Sequence, residues 1–155
     1  MDIDILNELD ELKREHRELL KRLRELDRSL NGLSIASTDA ATVVGALQGL
    51  CRLLKNEILV HCAREKESLL PVLLDRGLGR HTVVQELQNE DVLLQREYER
   101  LQRALAGVKA TGTRRALETL VSTGERVISM IVEHIHQEEA EIFPLLEREG
   151  KNLRR

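Results

Sequence analysis

The sequence contains almost no aromatic residues: it has one tyrosine, one phenylalanine and no tryptophan in 155 residues. Its core must therefore be built from Leu, Val, Ile and Ala, which favours helices over a β-sandwich. The same shortage removes the platforms on which single-stranded bases stack. With a net charge of -3, the chain also has no basic field that would attract phosphates, and we expect no nucleic-acid partner.

The sequence also lacks long apolar runs. No stretch approaches the roughly 20 apolar residues that span a bilayer, and the N-terminus has neither the basic nor the apolar region of a secretory signal. The two cysteines, Cys51 and Cys62, fall in one expected helix, where a rise of about 1.5 Å per residue places them roughly 16 Å apart. A disulfide needs Cα atoms within about 7 Å, so we expect free thiols, as in a reducing compartment. The composition therefore predicts a cytoplasmic protein with no membrane association.

Apolar residues recur at helical spacing in four segments with charged residues between them. The segments are residues 3–30, 40–75, 82–108 and 114–149, and the connections between them are short. Pro71 should kink the last turns of the second helix. The pattern predicts an all-α fold, an up-down-up-down antiparallel four-helix bundle. With 41% hydrophobic residues, the chain can form one core, and we expect a single domain over residues 1–155.

Two stretches of the sequence follow one plan, in which a histidine is followed four residues later by a glutamate and six residues after that by a proline. A spacing of four places the imidazole and the carboxylate on the same face of a helix, where both can reach one cation. Two such helices facing each other predict a metal site inside the bundle. The residues are His61, Glu65 and Pro71 in the first stretch and His134, Glu138 and Pro144 in the second.

The first and third helices each carry a polar residue on the apolar side. His16 precedes His61 by 45 residues, and Asp91 precedes His134 by 43, so the chain reads as two helical hairpins of one design. Burying the carboxylates of Glu65, Asp91 and Glu138 in a helical interior without a partner would cost several kcal/mol each. Divalent cations would neutralise them, and nitrogen and oxygen ligands suit iron, manganese or zinc.

Other polar residues near these positions have a simpler interpretation. His81 falls near a loop, and His136 is turned by about 200° from His134, so we expect both to face outward. Glu57 and Tyr98 are secondary candidates near the cavity, although a residue of either kind is more often just a boundary residue.

The sequence resembles the hemerythrin-like HHE cation-binding domain family over essentially its whole length. The resemblance implies a four-helix bundle around a non-haem di-iron centre. By position, it makes His16 and His61 terminal ligands of one iron and His134 a terminal ligand of the other. Glu65 and Glu138 would bridge the two ions. The motifs that carry it are Glu15-His16-x-x-Leu19, His61-x-x-x-Glu65 with Leu-Leu-Pro71, and His134-x-x-x-Glu138-Glu with Ile-Phe-Pro144.

Asp91 departs from the family pattern, which has a histidine after the glutamate of the third helix. An aspartate can still bind a metal, so the expected ligand set is His16, His61, Glu65, Asp91, His134 and Glu138. Two iron ions are the first expectation, and a single metal, zinc or manganese are the alternatives.

The expected function is to bind, sense or detoxify O2, peroxide or NO, and a weak peroxidase-like or catalase-like activity would follow as easily. Two alternatives stay open. One is an iron-donating or nitrosative-stress repair protein, and the other is a helical interaction module with a degenerate or single-metal site. The sequence does not indicate an oligomeric state.

Overall fold

The computed structural model describes residues 4–32 and 39–153, and these residues form four helical rods without any strand. The first rod is α1 (Ile5–Asn31). The second consists of α2 (Ala40–Leu53), a π-helical segment π1 (Leu54–Ile58) and α3 (Leu59–Asp75). The third is α4 (Thr82–Thr111), and the fourth consists of α5 (Arg114–Gln137), π2 (Glu138–Ile142) and α6 (Phe143–Leu153). The rods pack as an all-α four-helix bundle, which confirms the predicted fold class.

The helix boundaries follow from local chemistry. The side chain of Asp39 accepts a hydrogen bond from the backbone N–H of Ala41 and caps α2, and Thr113 caps α5 through the N–H of Ala116. Gly112 ends α4 in the left-handed conformation at φ 61°, which residues with a Cβ adopt reluctantly. The observed bounds lie close to the predicted ones within the described residues. Residues 33–38 of the predicted first connection lie outside them.

The two π-helical segments are not apparent in the sequence. The N–H of Leu59 bonds to the carbonyl of Leu54, and the N–H of Phe143 bonds to that of Glu138, so each segment closes a five-residue turn. Such a turn adds one residue and so rotates the side chains of all later residues about the helix axis. Turns of this kind are frequent at functional sites. Pro71 lies inside α3, which continues to Asp75.

The core consists of two apolar clusters at different levels of the bundle. The larger cluster includes Leu23, Leu54 and Leu101, and the smaller one includes Leu12, Leu69 and Phe143. None of the helices in the described ranges is both long and apolar enough to cross a membrane.

Candidate metal centre

A layer of buried polar side chains separates the two apolar clusters. On α1, Leu12 belongs to the smaller cluster and Leu19 to the larger one, and His16 lies between them with no exposed surface. On α4, Glu90 lies in the same way between Leu87 and Leu94. All four rods contribute to this layer at the same level. Its members are His16, His61, Glu65, Glu90, His134 and Glu138.

Three of these side chains form a first group, made by α1 and α3. The possible ligand atoms of His16, His61 and Glu65 all lie within 4.8 Å of one another. Oε2 of Glu65 is 3.2 Å from Nε2 of His16 and 2.9 Å from Nε2 of His61. Two imidazole nitrogens thus converge on one carboxylate oxygen, as the ligands of a single ion would.

A second group consists of Glu90 on α4 with His134 and Glu138 on the fourth rod, again within 4.8 Å. Oε1 of Glu90 is 3.8 Å from Nδ1 of His134. Glu138 also approaches the first group, since its Oε2 is 3.3 Å from Nε2 of His16. Glu138 therefore lies where it can contact cations in both groups.

Glutamates outside the two groups orient the histidines. Oε1 of Glu15 is 2.8 Å from Nδ1 of His61, and Oε1 of Glu139 is 3.2 Å from Nδ1 of His16. A carboxylate only accepts, so each Nδ1 donates to its glutamate, and each Nε2 faces the interior, where it could bind a metal once the ring is neutral. Arg64 holds Glu15 through its other oxygen. Partners of this kind fix the ring orientation of a metal-binding histidine.

One of the two aromatic residues also supports this layer. The ring of Phe143 stacks on the ring of His16, with centroids 5.3 Å apart and planes 5° from parallel. Phe143 is fully buried, so it fixes the plane of the imidazole and closes the layer toward the smaller apolar cluster.

Burial and mutual contacts shift the pKa values of several side chains in the polar layer. Burial opposes charge on His16, but the carboxylates of Glu138 and Glu65 outweigh it and raise the pKa of His16 to about 10. Burial and the nearby charge of Glu138 raise the pKa of Glu90 to about 8. Burial and contact with Glu65 raise the pKa of Glu138 to about 7. Although burial opposes it, contacts with Glu138 and the two histidines lower the pKa of Glu65.

These residues fit a bound cation. Four buried side-chain atoms of the described chain have no hydrogen-bond partner, and three of them belong to the two groups: Nε2 of His61, Oε1 of Glu65 and Oε2 of Glu90. Unpaired buried polar atoms are costly, and cations bound in the two groups would satisfy them. The close approach of His61 Nε2 to Glu65 without hydrogen-bond geometry is consistent with two ligands facing one ion.

A small cavity of about 10 Å³ lies against both groups. On this scale, about 10–15 Å³ holds one water molecule, so only a very small ligand fits beside the polar layer. Cys62 also faces this cavity, and burial together with the charge of Glu90 raises the pKa of its thiol well above the ordinary value.

The prediction that Asp91 faces the site is wrong by one residue. The Asp91 side chain is 45% exposed and lies 3.4 Å from Nζ of Lys66, whereas Glu90 is 4% exposed and points into the layer. Helical spacing does not separate the two candidates, because Glu90 lies three residues after Leu87 and four before Leu94, and Asp91 lies four after and three before. In the structure, α4 is rotated so that Glu90, and not Asp91, lies on its inward side between Leu87 and Leu94.

The other polar candidates lie outside the layer. His81 and His136 are exposed, as predicted. Glu57 is exposed and pairs with Arg22, and Tyr98 is half-buried against the larger apolar cluster, where its hydroxyl accepts a hydrogen bond from Gln102. The five other predicted ligands, His16, His61, Glu65, His134 and Glu138, all lie in the layer.

The sequence interpretation missed Glu90, Glu139, Phe143 and the orienting role of Glu15. Glu15 and Glu139 directly adjoin predicted ligands, and this adjacency was the available signal. It could not show that each glutamate reaches the histidine of a different helix.

The fold and the buried histidines and carboxylates define a helical bundle with an internal candidate site for cations. Comparison with family models matches residues 7–146 to the hemerythrin HHE cation binding domain, and the chain belongs to this family. Comparisons with curated proteins and with solved structures found no significant match.

Proposed function

We propose that the protein is a non-haem iron protein that holds two iron ions in the polar layer and binds, senses or detoxifies O2, peroxide or NO there. The observation that carries this proposal is the pair of three-residue groups, His16–His61–Glu65 and Glu90–His134–Glu138, at one level of an otherwise apolar bundle. Their nitrogen and oxygen donors suit iron, with zinc and manganese as chemically acceptable substitutes.

Charge balance supports two ions rather than one. Glu65, Glu90 and Glu138 bring three carboxylates into a layer where each is at least 95% buried, and the three histidines are neutral when they bind a metal. A single divalent cation would leave one negative charge uncompensated in the interior. Two divalent cations leave one positive charge, which an anionic ligand such as hydroxide can neutralise.

The protein side chains would hold, orient and shield the ions. His16 and His61 would bind through Nε2, with the rings fixed by Glu139 and Glu15, and Glu138 would lie between the two positions. Bound iron would supply redox chemistry and a coordination position for a small oxidant. Apart from Cys62, the rest of the cavity wall is aliphatic, which keeps bulk water out and favours uncharged ligands such as O2 and NO. The aliphatic residues are Leu19, Ile58, Leu94, Ile131 and Ile135.

We also place this function in the cytoplasm, because Cys51 and Cys62 are free thiols and free thiols persist in a reducing compartment. We expect the protein to respond to small oxidants and to bind neither nucleic acids nor membranes.

Metal analysis and spectroscopy test the proposal. Protein purified without added metal should contain close to two iron ions per chain, and exposure of the reduced protein to O2 or NO should change its absorption in the near-ultraviolet and visible. Glu65→Ala should lose the metal, while the matched change Glu67→Ala, two residues away on the same helix, should retain it. Iron that passes readily to an acceptor would support the iron-donating alternative. A wild-type protein that binds no iron under any condition would refute the proposal and leave the helical interaction module.

A further inference from the structure

The metal centre is enclosed, so its ligands must enter along a particular path. The side chains of His16 and Glu65 have no exposed surface, and those of His61, Glu90 and Glu138 are at most 6% exposed. The side chain of His134 is 19% exposed, which makes it the most accessible of the six. The opening should therefore lie beside His134.

Three cavities adjoin one another between His134 and the surface. The inner cavity against the polar layer shares His134 and Glu138 with a second cavity, which also has a volume of about 10 Å³. The second cavity shares Val83 and Gln137 with an open depression of about 500 Å³ on the surface of the bundle. The shared residues place the three cavities in series.

Two residues that line the second cavity form a hydrogen bond between helices. Nε2 of Gln137, the last residue of α5, donates to Oε2 of Glu86 on α4 at 2.7 Å. Gln137 directly precedes π2, where the regular helical hydrogen bonds are replaced by five-residue turns. Val83, which is apolar and half-buried, forms another part of the wall of the second cavity.

The other histidines of the layer are covered more firmly. Glu15 contacts His61 and is held by Arg64, and Glu139 contacts His16. A ligand that approached from either of these directions would have to break the hydrogen bonds that orient a metal-binding ring. A ligand that approached past Gln137 would break only the bond to Glu86.

We infer that small ligands reach the metal centre between the start of α4 and the junction of α5 with π2, and that the hydrogen bond between Gln137 and Glu86 closes this path. The inference rests on the proposed function and narrows its ligands to diatomic molecules and others of that size, because the inner two cavities each have room for about one water molecule. Val83 and Gln137 control the rate of exchange, whereas the six residues of the polar layer determine the affinity.

The test measures association and dissociation of NO with the iron-loaded, reduced protein by stopped-flow absorption without oxygen. Gln137→Ala removes one interhelical hydrogen bond, so both rate constants should rise by the same factor, about threefold to tenfold, with unchanged affinity. Val83→Ala should also raise both, and Val83→Phe should lower both. The matched controls are Gln95→Ala and Val92→Phe, two exposed positions on α4 that line none of the three cavities.

A second measurement starts from metal-free protein and does not require iron-loaded protein. Metal-free protein should take up Co(II) faster in Gln137→Ala and more slowly in Val83→Phe, with melting temperatures recorded for every variant. If the variants hold iron and bind NO at wild-type rates, the path is refuted and the proposed function stands. If wild-type protein holds no iron, the proposed function fails and this inference fails with it.

Discussion

Glu90 and Asp91 provide a direct test of which residue of α4 faces the proposed metal ions. Glu90→Gln and Asp91→Asn each remove one carboxylate charge and keep the shape of the side chain, at adjacent positions of the same helix. Glu90 lies in the polar layer with Oε2 unpaired, whereas the Asp91 side chain is 45% exposed and pairs with Lys66. We expect the two variants to differ sharply in metal binding.

The expected magnitudes follow from these environments. Even the loss of a residue that only orients a ligand costs about 10–100-fold in metal affinity, so losing the Glu90 carboxylate should cost at least about 100-fold, or about 2.7 kcal/mol, at one of the two positions. Asp91 takes part in an exposed ion pair, which is worth about 0–1 kcal/mol of stability and nothing in metal affinity.

The stability of the metal-free protein should not fall in Glu90→Gln, although the metal affinity of this variant should. Burial and the charge of Glu138 raise the pKa of Glu90 to about 8, so the folded protein at that pH must either keep a proton on Glu90 or bury its charge. Glutamine removes this penalty. Glu90→Gln should therefore leave the metal-free protein at least as stable at pH 8 while it weakens metal binding.

Anaerobic titration with Fe(II), native mass spectrometry for the stoichiometry and thermal unfolding of the metal-free protein together measure these effects. Asp91→Asn should bind two ions with wild-type affinity. The reasoning would be refuted if Glu90→Gln bound two ions as tightly as the wild type, or if Asp91→Asn lost one of them.

Three further predictions follow from the same layer. Glu138→Ala should abolish tight binding of both ions, while the outward-facing His136→Ala should leave the metal content unchanged in the same mass-spectrometric assay. Glu15→Gln should lower the affinity at His61 by about 10–100-fold, because the charge that holds Nδ1 is lost, and a titration with unchanged affinity would contradict this. In the metal-free protein, Glu90 has a folded pKa of about 8 against an ordinary 4.5, so the folded state binds its proton more tightly and the free energy of unfolding should fall as pH rises between these values. The slope should be about 1.4 kcal/mol per pH unit for each such proton, and a melting temperature that rises from pH 5 to pH 8 without metal would overturn the assignment.

Much of the fold could be predicted from the sequence because helical periodicity is a local property. The charged residues between the leucines of α1 leave only one face that can be buried, and this face contains His16. The spacing of four in His61–Glu65 and His134–Glu138 likewise fixes a shared helix face. The family match over residues 7–146 and the helices of the structure agree with these predictions.

The remaining features depend on contacts between helices, which local patterns do not specify. Glu90 and Asp91 are equivalent by spacing, and only the packing of α4 against its neighbours selects Glu90. The contacts from Glu139 to His16 and from Glu15 to His61 connect residues that are 123 and 46 positions apart. No periodicity within a single helix indicates them.

The two π-helical segments show why the repeat in the sequence is not an exact repeat in space. π1 ends three residues before His61, whereas π2 begins at Glu138, so the extra residue precedes the histidine in one hairpin and follows it in the other. The extra turn after Glu138 changes the phase of Glu139 and Phe143, and these residues then contact His16 on both its Nδ1 edge and its ring face. In this way the second hairpin supports a candidate ligand of the first. A change that restores a regular α-helix through residues 138–142 should therefore weaken metal binding at His16, even if it alters none of the six side chains of the polar layer.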